Sequence, residues 1–376
     1  MFDKLKKILG RTYYPLNKIE LNKKRLLKNY DYLKSLDNNL QIAPVVKSNA
    51  YGHGIEEVSK ILDSQKPPFF CVDSLFEAYQ LKKAKIKSPI LIMGFVDGRN
   101  LKARKLPFSF AVFDLDFAKA LNKYQPGAKV HIKVDTGMNR IGVSLKSLAK
   151  FLYQIKKLKN LEVEGLMSHL SSPRSSESYT NYQIDNYKKA IRIFEDSGFF
   201  PKWKHLAASG GLFNIRPKTL EKISNLARCG IALYGASGEG QTRPVIELKS
   251  QIVQIKKLNK GDLVGYDRTY KVKGPTTIGI LPIGYNDGID RKLSNNGYVS
   301  HTYNKVNCPI IGRVSMNITT IDITKVKKAK VGDEITVISS KLTDINSITN
   351  LAIQINTIPH DILVHLHPKS IKRIIV

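Results

Sequence analysis

Lys47 ends an apolar, strand-like run, Pro44-Val45-Val46, and is followed at once by Ser48-Asn49-Ala50-Tyr51-Gly52-His53-Gly54. A buried amine is costly to keep charged, so a lysine at the inner end of a strand tends toward a lowered pKa and a neutral, nucleophilic form. Such an amine can join covalently to a carbonyl cofactor. On spacing alone the same residue also reads as a strand-end lysine whose stem packs while its head snorkels to solvent. Other polar and glycine residues sit just past apolar runs in the same way: Asp135 to Arg140, His169, Ser209 to Gly211, and Arg228 to Gly230.

Placing these groups together requires a scaffold that brings many strand ends to one rim. Short β-branched runs at 42–46, 69–72, 90–93, 110–113, 130–134, 163–168, 205–208 and 226–228 alternate with amphipathic stretches such as 55–62, 75–83 and 182–194. That is the rhythm of βα units around a parallel sheet, and eight repeats predict a closed (β/α)8 TIM barrel. In such barrels the carboxyl-terminal rim holds the active site. After the glycine-rich connector Gly235 to Gly240, alternating runs at 247–255, 276–281, 318–321 and 334–338 predict a mainly-β C-terminal domain. The connector follows the eighth strand and opens no helix, so it reads as a linker and not as a dinucleotide loop. The expected division is 1–19, a basic N-terminal extension and first strand; 20–240, the barrel; and 241–376, the β domain, to which residues 12–20 add a strand.

Bulk properties narrow the class. The 376 residues exceed one ordinary small domain, and 42% hydrophobic content suffices for two cores. No apolar run is long enough to span a membrane and no signal-peptide pattern opens the chain, so a cytoplasmic location is expected. Cys71, Cys229 and Cys308 are isolated, without the spacing of a disulfide framework or a zinc site, and no metal is expected. The 61 Lys and Arg against 31 Asp and Glu leave +30, which favours anionic partners through long-range attraction. This charge is spread, without the aromatic-interleaved stripe of an RNA-binding module, so no specific nucleic acid is expected, while weak attachment to anionic surfaces is allowed. Phe2, Leu5, Ile8 and Leu9 opposite Lys4, Lys6 and Lys7 read as a short amphipathic helix, packed on the body or lying on a membrane surface.

The run 44–54 resembles the lysine motif of the alanine racemases, fold-type III enzymes whose lysine carries pyridoxal 5′-phosphate (PLP). The resemblance continues in family order through His131-Ile132-Lys133-Val134-Asp135-Thr136-Gly137-Met138-Asn139-Arg140-Ile141-Gly142, Ser168-His169 and Ala227-Arg228-Cys229-Gly230-Ile231-Ala232-Leu233-Tyr234-Gly235. It extends to Gly265-Tyr266, Gly284-Tyr285-Asn286-Asp287-Gly288 and Gly312-Arg313-Val314-Ser315-Met316. The resemblance implies interconversion of L- and D-alanine by two acid/base groups flanking a planar carbanion, Lys47 and Tyr266 of a partner subunit. A tyrosine titrating near about pH 10 needs nearby positive charge or hydrogen bonds for that task, and His169 and Arg228 match the family's network. Arg228 matches the arginine opposite the pyridine nitrogen. Ser209, Gly210, Gly211, Gly230 and Ile231 match the phosphate loops, with Tyr51 adding a hydroxyl. Arg140 matches the arginine near the substrate carboxylate, and Lys133 the lysine that the family often carbamylates. Tyr285 and Met316 match an entrance tyrosine and a residue whose backbone N–H meets the carboxylate, both from a partner chain. A homodimer with shared sites and D-alanine for peptidoglycan follow from the same resemblance.

The chain departs from the family pattern at four places. Ala208 stands for an asparagine before the phosphate-loop serine, Asn317 for an aspartate, His360 for a phosphate-binding tyrosine, and Arg174 for an entrance aspartate. An imidazole still donates one hydrogen bond. Arg174 together with Arg291 is expected to make an anion-welcoming entrance. Racemisation of serine, lysine or a broad set of amino acids, and a PLP-binding homologue of reduced activity, stay open alternatives at this point.

Overall fold

The computed structural model describes residues 14–376 apart from Arg216 and Lys369. The amphipathic pattern at 1–9 lies outside the described residues. The chain divides into two compact units, Lys24–Thr242 and Arg243–Val376, the latter including the described residues up to Lys23. The first strand, β1 (Lys18–Leu21), therefore lies in a unit whose other elements follow it by more than two hundred residues.

The N-terminal unit is the (β/α)8 barrel. Its strands are β2 (Gln41–Pro44), β3 (Phe70–Val72), β4 (Ile90–Ile92), β5 (Ser109–Val112), β6 (Ala128–Asp135), β7 (Leu161–Met167), β8 (Trp203–His205) and β9 (Leu226–Cys229). Parallel ladders join β3 through β8 in chain order. Single bridges, Val45↔Cys71 and Ala208↔Arg228, carry the sheet on from β2 to β3 and from β8 to β9. The pairing of β9 with β2, Leu226 opposite Gln41 through Cys229 opposite Pro44, closes the ring. Helices cover the outside, which is why these strands are apolar on both faces. Phe70, Phe110, Ile132, Leu166 and Leu206 are buried. Asp114, Ser144 and Ser176 cap the helices that follow them by accepting a backbone N–H three residues on.

Two expected strands shift. The run 205–208 is apolar, but the chain leaves the ladder after His205 and touches β9 again only at Ala208, so β8 sits earlier than its composition suggests. The run 247–255 breaks into β10 (Ile246–Gln251) and β11 (Gln254–Leu258). The break falls where Ile252 N donates to Asp333 O and Val253 N to Ile280 O, so consecutive residues belong to different sheets. The rest of this unit comprises β12 (Thr276–Leu281), β13 (Tyr298–His301), β14 (Asn307–Pro309), β15 (Thr319–Asp322), β16 (Glu334–Ile338) and β17 (Lys372–Ile375). The larger sheet runs β14-β13-β16-β10-β1-β17, and the smaller β11-β12-β15. Across the larger sheet, Lys18 and Lys249 each bridge Glu20 and Glu334 at 2.8 to 3.1 Å.

The segment after β2 is unusual in its backbone. Ser48, Asn49, Ala50 and Tyr51 all have φ between +52° and +55°, and Gly52 follows at +77°. Non-glycine residues resist this region by roughly 1–2 kcal/mol each, so a left-handed turn of this length must be held from outside. Glu77, in the helix Leu75–Lys83, supplies one hold: its Oε1 accepts from Ser48 N at 2.6 Å and its Oε2 from Asp73 N at 2.8 Å. Asn49 Oδ1 supplies another by accepting from Ile55 N at 2.9 Å. The turn reverses the chain within a few residues, leaving Lys47 and Tyr51 on either side of it.

Removing the carboxylate should therefore loosen this turn before it loosens the barrel. In Glu77→Ala, hydrogen exchange at Ser48 and Asp73 should accelerate roughly tenfold or more, with a loss of about 1–3 kcal/mol in urea unfolding. Unchanged exchange at both amides would show that the turn holds itself.

Candidate active site

The carboxyl-terminal rim of the barrel gathers the singled-out residues of this unit. Lys47 follows β2, Lys133 lies in β6 and Arg140 in the loop after it, His169 follows β7, Ser209 follows β8, and Arg228 lies in β9 with Gly230 and Ile231 beyond. Lys47 is not buried: its side chain is 37% exposed and its Nζ stands 3.5 Å from Asp73 Oδ1. The burial expected there falls on Lys133 instead. Desolvation, with the charges of Arg228, Arg140 and Lys47 adding to it, pulls the Lys133 amine down to about 8.

Arg228 is the most constrained charge at the rim, at 3% exposure. Its Nη1 donates to His205 Nδ1 at 2.8 Å and His205 O at 2.7 Å. Its Nη2 donates to Ser168 O at 2.6 Å and His169 Nδ1 at 3.2 Å. A guanidinium only donates, so His169 receives it on an unprotonated Nδ1 and, when neutral, carries its proton on Nε2. Burial first, then the cations Arg228, Arg140, Lys133 and Lys47, hold the His169 imidazole down to about 3, so it stays neutral across the physiological range.

The loop after β6 is shaped by Asp135, whose Oδ1 accepts from Gly137 N at 2.9 Å and Asn139 N at 3.1 Å. Gly142, at φ +150°, lets the chain return against Asp135, whose backbone nitrogen would stand 2.6 Å from a Cβ there. Lys133, Arg140, Ser168 and His169 line one small recess inside this loop. On the opposite side of the rim, Ser209 Oγ accepts from Gly230 N at 3.3 Å and Ala232 N at 3.2 Å, fixing the turn after β9. A Cβ on Gly230 would lie 2.5 Å from the Tyr51 hydroxyl, so only glycine lets the Tyr51 phenol pack this closely on the turn after β9. Burial pushes the Tyr51 phenol up to about 12, which keeps it a hydrogen-bond donor.

In the C-terminal unit three turns converge. Tyr285 N donates to Ser315 O at 3.0 Å and Asn286 N to Met316 O at 2.9 Å. Gly265 lies within 3.4 Å of Arg313 N, measured from a Cβ position, and Arg313 Nε stands 2.7 Å from Asp267 Oδ2. Tyr266, Tyr285 and Met316 are 68%, 45% and 56% exposed. His360 is half-buried in the first turn of the helix Pro359–Val364.

One expectation fails outright. Arg174 is not an uncompensated cation, because its Nη2 meets Glu239 Oε2 at 2.5 Å. The partner lies sixty-five residues along the chain, beyond the reach of motif reading. The sequence reading also passed over Asp73, Glu77, His131, Glu164 and His205. The available signal was histidine inside an otherwise apolar strand, at His131 and His205, where burial demands a partner.

Residues 21–238 match the family model for the N-terminal domain of alanine racemase, and residues 245–375 match that for its C-terminal domain. Alanine racemase 2 of Caldanaerobacter subterraneus subsp. tengcongensis is 32% identical over 359 residues, covering 92% of this chain and 91% of that protein. The solved alanine racemase of Clostridium difficile 630 superposes with a TM-score of 0.88 at 27% identity, over 97% of both chains. That of Bartonella henselae, described with covalently bound pyridoxal phosphate, gives 0.82 at 26% identity, over 96% of this chain and all 100% of that one. Family models over both units and a relative above 30% identity along nearly its whole length lead to one conclusion: the chain belongs to the alanine racemase family of isomerases.

Proposed function

We propose that the chain interconverts L- and D-alanine with PLP joined to Lys47, and that a second copy of the chain completes each site. The observation that carries this reading is the convergence of Lys47, Lys133, Arg140, His169 and Arg228 on one barrel rim, beside the turn after β9 where Tyr51 packs on Gly230. That donor set fits the cofactor: an amine for its carbonyl, a phenol hydroxyl beside a glycine turn for its phosphate, and a donor-only guanidinium for its ring nitrogen. When bound, PLP supplies the electron sink that acidifies the α-hydrogen of an amino acid joined to it.

Each residue then has a task. The Lys47 amine holds the proton on one face, with the Asp73 carboxylate 3.5 Å away. Tyr266 of the partner subunit serves the other face. Arg228, which cannot accept a hydrogen bond, keeps the ring nitrogen opposite it unprotonated and so restrains transamination. Ser209, Gly230, Ile231 and Tyr51 would hold the phosphate. Arg140 and the Met316 backbone N–H of the partner take the substrate carboxylate, and Tyr285 narrows the entrance. Lys133, pulled to about 8, is neutral often enough to take up carbon dioxide, and the resulting carbamate would turn a buried cation into a partner for Arg140. Among the described residues no helix is long and apolar enough to cross a membrane. This reading places the enzyme in the cytoplasm, making D-alanine for peptidoglycan.

Borohydride treatment of the purified protein should fix PLP on the peptide containing Lys47, abolish the visible band, and do neither in Lys47→Ala. D-alanine should accumulate from L-alanine faster than D-serine from L-serine. No band at all would sink the reading.

Site sharing has its own test. Lys47→Ala and Tyr266→Phe should each be inactive alone, while a refolded equimolar mixture should recover roughly a quarter of wild-type activity through mixed dimers with one intact site. No recovery would place both groups on one chain.

For Lys133, 13C-bicarbonate should give a protein carbamate signal that is absent in Lys133→Ala. Protonation of the amine competes with carbamate formation, so the signal should grow from about pH 7 to about pH 9. A pH-independent signal that survives the substitution would assign it elsewhere.

A further inference from the structure

The interior of the barrel carries a second polar system that the proposed chemistry does not use. His205, which receives Arg228 on Nδ1, places its Nε2 at 2.8 Å from His131 Nδ1. The other nitrogen of His131, Nε2, stands 3.3 Å from Glu164 Oε2. Both imidazoles are 0% exposed. The Phe69 ring meets His131 edge-on at 5.2 Å and lies tilted to His205 at 5.9 Å. Glu164 lies in the middle of β7 and faces the other end of the barrel, with Lys129 Nζ at 3.1 Å from its Oε1 and Ser109 Oγ donating to its Oε2 at 3.3 Å. A cavity of about 250 Å³, lined in part by Phe69, Ser109, Lys129 and Glu164, opens at that end.

The direction of this chain is fixed at both ends. Arg228 can only donate, so His205 Nδ1 must accept and its proton sits on Nε2. That proton can only be given to His131 Nδ1, so the His131 proton also sits on Nε2 and is given to Glu164. An ionised carboxylate only accepts, so the series closes without a clash. Adding a proton to either imidazole, or reversing either tautomer, would leave two N–H groups facing each other against Arg228 or inside the pair. We propose that Glu164 is a positioning residue for racemisation: through His131 and His205 it sets the tautomers that hold the Arg228 guanidinium in place at the opposite end of the barrel. This inference rests on the racemase reading for its effect on rate, but not for the tautomers themselves.

Two further observations agree. Gly165, beside Glu164 on β7, leaves room for the His131 ring, and a Cβ there would collide with His131 Nδ1, the atom that receives His205. Burial drives both imidazoles toward their neutral forms, and the donors on Glu164, chiefly His131 and then Lys129, hold its carboxyl down to about 2 against the opposing effect of desolvation.

The test begins with the wild-type chain labelled with 15N-histidine, with and without PLP. His131 and His205 should both be neutral with protonated Nε2 in both forms; a protonated Nδ1 on either would overturn the relay without any variant being made. Next, Glu164→Leu should shift or mix these tautomers, move the visible band of bound PLP, and lower kcat roughly tenfold or more while KM for alanine stays within about twofold. Glu164→Gln, whose amide oxygen still accepts, should recover the wild-type tautomers and most of the lost rate. A folded Glu164→Leu protein with unchanged tautomers, band and kcat would refute the proposal. Equal loss of rate in the leucine and glutamine variants would also refute it, because hydrogen-bond acceptance would then not be what matters. If the wild-type chain proved not to racemise alanine, the tautomer measurement would still decide the relay.

Discussion

The molecule is organised around one expensive charge. A guanidinium at 3% exposure has lost nearly all its water, and such a cation must be met by hydrogen bonds or a counter-charge or it will not stay buried. Among the described residues, none of the hydrogen bonds of Arg228 goes to a carboxylate. Instead its two terminal nitrogens are met by the carbonyls of Ser168 and His205 and by the imidazoles of His169 and His205. Those acceptors come from the ends of β7 and β8, so satisfying Arg228 also fixes where two neighbouring strands stop. The same geometry dictates that both imidazoles present an unprotonated Nδ1. One side chain thereby holds both strand ends, and it bounds at one end the series of imidazoles that Glu164 bounds at the other.

The left-handed turn after Lys47 shows the complementary arrangement, with strain placed beside this lysine and its restraint placed elsewhere. Four successive non-glycine residues at positive φ would unwind in a free peptide. Glu77 belongs to the next βα unit, and its two oxygens reach Ser48 and Asp73 together. The result ties the backbone beside Lys47 to the backbone of the carboxylate that faces its amine. A rigid scaffold made of ordinary elements thus supports one local conformation that propensity alone would reject.

Much of this was legible in sequence because it is written in contiguous strings. The barrel followed from eight apolar runs separated by amphipathic ones, and the rim residues followed from motifs that place glycine and charge just past those runs. What escaped was whatever depends on partners far along the chain. Glu77 lies twenty-nine residues from Ser48, Glu164 thirty-three from His131, and Glu239 sixty-five from Arg174. Of the two readings of Lys47, buried amine and snorkelling stem, the structure has the amine part-exposed, 3.5 Å from Asp73, a partner twenty-six residues along the chain. The early end of β8 has a backbone cause. Leu206 and Ala207 are fully buried, so hydrophobicity continues after the ladder has ended at His205.

These constraints also bear on the second copy proposed above. A two-sided proton transfer needs a group that can both give and take a proton on the face away from Lys47. Within the barrel unit the obvious candidates are already committed: His169 is held neutral with its Nδ1 engaged by Arg228, and Tyr51 is pushed to about 12 by burial. Tyr266 differs from both, since its side chain is 68% exposed on a turn whose backbone is fixed by Gly265 and the Asp267 to Arg313 ion pair. A phenol left uncovered in this way is what the proposed sharing of sites requires of Tyr266. The chemistry that the barrel lacks and the side chain that the C-terminal unit leaves exposed therefore match in kind.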